Sequence, residues 1–396
     1  MSPDKRPVRR AVIVAARRTA VCPRGGALAH LQADELAAPV LRQLLADADL
    51  APDAIDQVLL GNALYGGGNP ARLAALRAGL PASVPAMTID TQCCSGLDAI
   101  LQGARMIESG AAECVLAGGA ESFSRAPIRM HRPETAEGRP VAYDRPSFAP
   151  PPFADPDLTE AAACLADRRG VTQEAQADFA VTSHRKADAA MPAIGKRLVR
   201  PDAAAPERDG FTRPLTRKTV LRAPVLAGDA DTGLNAATIA CEADGAAAVL
   251  ILSAAAWAKR GGGPCLNIRQ GVSIGGDPAD PALVPIKAAR NLLHDQGVPV
   301  GQLSAVELME AYAVQAQVTM AELELDPARV NRLGGALARG HPIGASGAIL
   351  VVQLFQALGS QESAAESDER LGLALIAAAG GLGTAMLFER TVSKGG

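Results

Sequence analysis

Residues 94–107 read CSGLDAILQGARMI, and residues 345–358 read ASGAILVVQLFQAL. In each, a Ser-Gly pair (Ser95-Gly96, then Ser346-Gly347) opens an Ala/Leu-rich helical run. Upstream of each lies an apolar run ending in a polar turn, DQVLLGN (56–62) and SAVELMEA (304–311). A duplicated α/β half with a pseudo-twofold explains this economically. Coincidence between Ala/Leu-rich helices would give the same short match.

Around these two stretches, short β-branched runs alternate with Ala/Leu-rich helical ones. AVIVAA (11–16), QVLLGNAL (57–64), AMTID (86–90), ECVLAGGA (113–120) and AAAVLILS (246–253) predict strands, as does SAVELMEAYA (304–313). LALIAAAGGLGTAMLFE (373–389) predicts a strand pair, and ADELAAPVLRQLLADA (33–48) a helix. This alternation favours α/β layers with largely parallel sheets. Between 121 and 243 the pattern changes. RPETAEGRPVAYDRPSFAPPPFADPD (132–157) is Pro-rich and reads as a loop, followed by helices over 159–169 and 173–191. The organisation expected is therefore 1–120 plus 244–267 as one half, 121–243 as an insertion, and 268–396 as the second half.

Composition narrows the function. Hydrophobic residues make up 48% of 396, enough for a large core, and the net charge of -3 lacks the basic excess of a nucleic-acid binder. Aromatics are only 3%, so Ala, Val, Leu and Ile must build the core. Seven cysteines with no CxxC pairing argue against a disulfide framework or a metal site and favour a reducing cytoplasm. MSPDKRPVRR leads into a short strand, not a signal-peptide core, and the closing SKGG is no peroxisomal address. No apolar run reaches the ~18–20 residues of a membrane span.

Two polar positions stand out in this apolar frame. Cys93, in TQCCSGL (91–97), follows a strand and precedes a helix, where unpaired N–H groups and the helix dipole can lower a thiol pKa. The bland alternative is a small buried hydrophobe. His341 alone among five histidines sits in a Gly-rich turn, GGALARGHPIGASGA (334–348), with Pro342 restricting the backbone before it. It is the candidate base for Cys93, since nucleophile and base can come from distant positions. A solvent-facing His on an ordinary loop would read the same. AAAGGLG (377–383), between two strand-like runs, can bring backbone N–H groups to an oxyanion. It is no dinucleotide fingerprint, because GxGxxG is absent and no helix follows.

Together these motifs resemble the thiolase family, in order, over nearly the whole chain. RRTAVCPRGGAL (17–28), GNALYGGGNPARLAALRAGLP (61–81), TQCCSGLDA, LAGGAESFS (116–124), DGAAAVL (244–250), MEAYA (309–313) and NRLGGALARGHPIGASGA (331–348) each resemble a family block. The resemblance implies a five-layered αβαβα fold of two similar halves and a coenzyme A-binding insertion. It also implies a homodimer or homotetramer. By that resemblance Cys93 would take the acylated position, His341 would take its proton, and the backbone N–H groups of Cys93 and Ala379 would match the oxyanion hole. The substrate implied is a coenzyme A thioester, with no permanently bound cofactor.

This chain also departs from the family. The second cysteine, which moves the α-carbon proton of the second acyl-CoA, aligns with Ala377. The asparagine of NEAFA aligns with Met309, the pantetheine-contacting serine with Ala240, and the asparagine before the nucleophile motif with Asp90. The family's His-Met-Gly stretch near the pocket has no clear counterpart around 153–160. Glu310 is a candidate substitute base. The acylation half is intact and the carbon–carbon half is stripped, and general acid–base help is worth ~10²–10⁴ in rate. The expectation is an acyltransferase that loads Cys93 from acyl-CoA and passes the group to an unidentified acceptor, in a specialised biosynthetic pathway. An ordinary 3-ketoacyl-CoA thiolase with a rewired pocket and a non-catalytic partner subunit are the alternatives.

Overall fold

The structure is a computed structural model and describes residues 9–65, 67–359 and 369–391. Residues 1–8, the closing SKGG and Gly66 of the GNALYGGG block, all used in the sequence reading, lie outside the described residues.

The first half contains β1 (Ala11–Arg18), α1 (Ala33–Asp47), β2 (Gln57–Gly61), α2 (Pro70–Arg77), β3 (Ala86–Ile89), α3 (Ser95–Ser109) and β4 (Cys114–Ser122). A long excursion carrying α4 (Leu158–Arg169) and α5 (Gln173–Ile194) follows, and the sheet resumes at β5 (Ala243–Ser253). The excursion returns beside its exit, since Asp244 pairs with Ser122. The second half contains β6 (Cys265–Gly275), α6 (Val284–Asp295), β7 (Leu303–Leu308), α7 (Ala313–Glu322), α8 (Ile343–Gly359), β8 (Glu369–Ala378) and β9 (Leu382–Thr391).

The strands hydrogen-bond in the order β7-β8-β9-β6-β1-β5-β4-β2-β3. Among the strands of the described residues, only β2–β3, β2–β4 and β7–β8 pair in parallel, so the sheet is mixed rather than largely parallel. The reason is connectivity. A tight hairpin joins β8 to β9, and the long excursion between β4 and β5 lets them lie antiparallel. Strand β6 was not legible in the sequence. Its CLNIRQGVSIG mixes polar and apolar residues, and it joins the halves by pairing Val12 with Asn267 and Ile13 with Leu266. The expected boundary at 267/268 thus falls inside one strand.

Burial on both faces explains the unbroken apolar strands. In β5, Ala247, Val249 and Ile251 face one core cluster, while Ala246, Ala248, Leu250 and Leu252 face another. In β8, Ala374 and Ile376 join the first cluster, while Leu373 and Leu375 join a third beneath α6 and α7. One continuous sheet supplies both β layers, so the order is α1 and α2, the first half's strands, α3 and α8, the second half's strands, α6 and α7, which is the five-layered αβαβα arrangement. The duplicated helices α3 and α8 pack directly on each other at the centre. Gly347 permits this approach, because a Cβ there would lie 2.4 Å from the Leu97 nitrogen. Among the described residues, no helix is long and apolar enough to cross a membrane.

Candidate active site

The turn between β3 and α3 presents Cys93. Asp90 sets it, accepting from the Gln92 N–H at 3.0 Å and the Gln92 side-chain amide at 3.1 Å. Gln92 takes a left-handed φ of 53°. Ser95 closes the turn by accepting the Thr91 N–H at 2.9 Å and donating to the Gln92 carbonyl at 2.6 Å. Buried Asp98 accepts from Thr91 Oγ1 at 2.6 Å and from Thr384 Oγ1 of β9 at 2.7 Å, tying the turn to the other half.

Ser346, the counterpart of Ser95, organises the other helix start. Its hydroxyl donates to the Pro342 carbonyl at 3.0 Å and lies 2.6 Å from His341 Nδ1. A hydroxyl has one proton to give. With that proton on the carbonyl, Nδ1 carries hydrogen and donates to Ser346. The unprotonated Nε2 then faces Cys93 Sγ at 3.1 Å. The main chain of His341 is held by its N–H donating to the Cys241 carbonyl at 2.8 Å.

Electrostatics at this pair runs against the expectation of an activated thiol. Burial pushes the Cys93 thiol up to about 12, and the charges of Glu121 and Asp90 add to that, while the N–H groups of Ala379 and of Cys93 itself oppose it. The helix start gives little help because its donors are taken. The Cys94 N–H bonds the Thr91 carbonyl at 3.2 Å and the Ser95 N–H the Gln92 carbonyl at 3.0 Å. Burial likewise lowers His341 to about 4. The resting pair is thiol and neutral imidazole, so the proton moves as the sulfur attacks.

The N–H of Ala379 reaches the thiol because the β8–β9 turn is tight. Gly380 and Gly381 take φ of 78° and 76°, and a Cβ on Gly381 would lie 2.6 Å from the Gly276 carbonyl oxygen. Ala377 and Met309 line the same pocket as Cys93, with Leu158 and Ala161 of α4. A methyl and a thioether therefore stand where two polar groups would sit in the resembling family. Ala240 lies next to this pocket, its N–H donating to the Ala311 carbonyl at 2.9 Å.

The structure separates Glu310 from this chemistry. Its carboxylate accepts from Ser183 Oγ at 2.6 Å, Asn331 Nδ2 at 2.7 Å and the Leu337 N–H at 3.2 Å, and it lines a different cavity with Lys186 and Asn331. Its position is that of a structural acceptor, not of a base for the Cys93 pocket. Cys94 is fully buried and donates to the Ile376 carbonyl at 3.5 Å, inside the core. Of the remaining histidines, His30, His131 and His294 are exposed, but His184 is buried on α5 against Phe211, and burial lowers it to about 4.

Sequence reasoning passed over Glu121. It accepts from Asn62 Nδ2 at 2.7 Å and from the N–H groups of Ala63 at 2.9 Å, Gly344 at 3.0 Å and Leu64 at 3.3 Å. It thereby clamps the start of α8 to the first half, and burial raises it to about 7. A carboxylate inside an apolar strand was the available signal.

The family models for the thiolase N-terminal domain and the thiolase C-terminal domain match residues 11–255 and 264–390. The chain is 37% identical over 385 residues to "Putative acetyl-CoA C-acetyltransferase YhfS" of Bacillus subtilis (strain 168), covering 96% of this chain and 99% of that one. It is 35% identical over 396 residues to "Putative acetyl-CoA C-acetyltransferase VraB" of Staphylococcus aureus (strain MRSA252), with the same coverage. The crystal structure of the Bacillus anthracis acetyl-CoA acetyltransferase superposes with a TM-score of 0.88 at 27% identity, covering 97% of this chain and 99% of that chain. With both halves matched and the layers shared, the chain belongs to the thiolase family of acyltransferases.

Proposed function

We propose that Cys93 takes an acyl group from a coenzyme A thioester and hands it to a second substrate that needs no strong base. The observation that carries this is the 3.1 Å contact of His341 Nε2 with Cys93 Sγ, in a pocket that Ala377 also lines. His341 takes the thiol proton as sulfur bonds the thioester carbon, and the N–H groups of Cys93 and Ala379 hold the oxyanion. Collapse breaks the bond to coenzyme A sulfur, which receives the proton from His341. An acceptor amine, alcohol or already acidic carbon then attacks the Cys93 thioester. Its proton passes through His341 to the departing Cys93 sulfur, restoring the thiol. Ala377, in the wall of that pocket, offers no group to remove an ordinary α-proton. In this reading segment 121–243 holds coenzyme A, the enzyme is a homodimer or homotetramer, and the acceptor belongs to a specialised biosynthetic route.

The names of the relatives from Bacillus subtilis and Staphylococcus aureus favour a second reading, acetyl transfer to carbon. Intact-protein mass after incubation with acyl-CoA donors tests the first. An adduct lost in Cys93→Ala is expected, and no adduct, or one that survives the substitution, sinks it. Thiolysis of acetoacetyl-CoA separates the two readings. Wild-type rates near background and a gain of ~10²-fold or more in Ala377→Cys are expected; ordinary wild-type turnover would establish the second.

A further inference from the structure

The Cys93 pocket has an unmatched polar end. Tyr312, just before α7, and Gln315, three residues on, both line it. Gln315 is 4% exposed, and its Oε1 is buried with no hydrogen-bond partner. The Tyr312 hydroxyl has only a long contact of 3.4 Å with Thr159 Oγ1. The pocket's one carboxylate, Asp280, is already held by Arg168 at 2.5 Å. The rest of the lining is mostly alanine with Leu158, Pro281 and Met309, around a free volume of about 60 Å³. A buried acceptor without a donor costs about 1–3 kcal/mol, so this end is built to be completed by something that enters.

We propose that the pocket selects a short acyl group bearing a hydroxyl, which donates to Gln315 and accepts from Tyr312. A hydroxyl is the neutral group that donates and accepts through one atom. A ketone would leave Gln315 Oε1 unpaired, and an alkyl chain would do the same while leaving Tyr312 with only its long Thr159 contact. A hydroxyl also suits the reverse setting of the Gln315 amide. The inference rests on the reading of Cys93 as acyl carrier and names the substrate class for it.

The test is the rate of Cys93 acylation, read by intact mass, with butyryl-CoA against 2-, 3- and 4-hydroxybutyryl-CoA. One hydroxy isomer is expected to load faster than butyryl-CoA by about 5- to 100-fold. In Tyr312→Phe and Gln315→Met that ratio should fall toward one. Equal loading of butyryl and every hydroxybutyryl group by the wild-type enzyme overturns the proposal, as does a ratio that both variants preserve. Absence of any Cys93 adduct from all four donors overturns the acyl-carrier reading itself, and this proposal with it.

Discussion

Replacing Ser346 by alanine removes one oxygen that touches neither Cys93 nor the pocket, yet it should cripple acylation. The hydroxyl sits 2.6 Å from His341 Nδ1 and donates to the Pro342 carbonyl at 3.0 Å, which fixes the tautomer that leaves Nε2 free for Cys93. Without it, the Nδ1–H loses its acceptor beside Ser346, a position only 3% exposed. An unsatisfied buried donor costs about 1–3 kcal/mol, or roughly 5- to 150-fold. The ring can escape that cost by moving its proton to Nε2, where it can no longer accept from the thiol. Single-turnover acylation should fall by that factor, and ¹⁵N shifts of His341 should change from the Nδ1-protonated tautomer to a mixture. Acylation at the wild-type rate with an unchanged tautomer would refute the reasoning, provided thermal unfolding shows Ser346→Ala folded.

The pH dependence follows from burial of a neutral pair. Protonation of His341, lowered to about 4, removes the base, so acylation should rise through about pH 4 and stay level across pH 6–8, with no alkaline limb below the thiol's value of about 12. A limb near pH 6.5, the ordinary histidine value, would contradict this. Stability has two opposing contributions. Between about pH 4 and 6.5 the unfolded chain binds protons that His184 and His341 refuse, which makes unfolding free energy rise with pH, while buried Glu121, raised to about 7, and Glu307, raised to about 8, keep protons that the unfolded chain loses, which makes it fall. Glu121→Gln removes one opposing share, so the slope of unfolding free energy against pH in that window, read by denaturant titration, should become more positive than in the wild type, and an unchanged slope would contradict this. Arg18 and Asp209 form a two-bond buried ion pair at 2.7 and 2.9 Å, joining β1 to the long excursion. Arg18→Ala strands a buried carboxylate and should cost about 3–5 kcal/mol; a denaturation loss below about 1 kcal/mol would show the pair to be dispensable.

Much of the site was legible because its geometry depends on local constraints. Cys93 stands at a strand-to-helix turn and His341 before a proline, and both features are written in consecutive residues. The duplicated Ser-Gly helix starts were equally visible, and they proved to be the two central helices, each with its serine closing the turn before it. The groups that were missed act across the fold. Asp98 answers to Thr384, Glu121 to Gly344, and neither partner lies near in sequence. Glu310 misled for the same reason. Its neighbour Met309 faces the Cys93 pocket, while its own carboxylate turns to Ser183 and Asn331.

The sequence by itself determined which residue types stand at the turns and how the apolar runs alternate, hence the layered α/β fold and the Cys–His pairing. Ala377 and Met309 are likewise facts of sequence, and with them the missing acid–base group. Only the tertiary structure decided the state of the nucleophile. A helix start viewed in isolation favours a thiolate. In the folded chain, burial pushes the thiol up to about 12, with the charge of Glu121 adding to it and the N–H of Ala379 opposing it. Desolvation depends on everything packed around a group, and so it is set by the fold as a whole rather than by the segment that carries the cysteine.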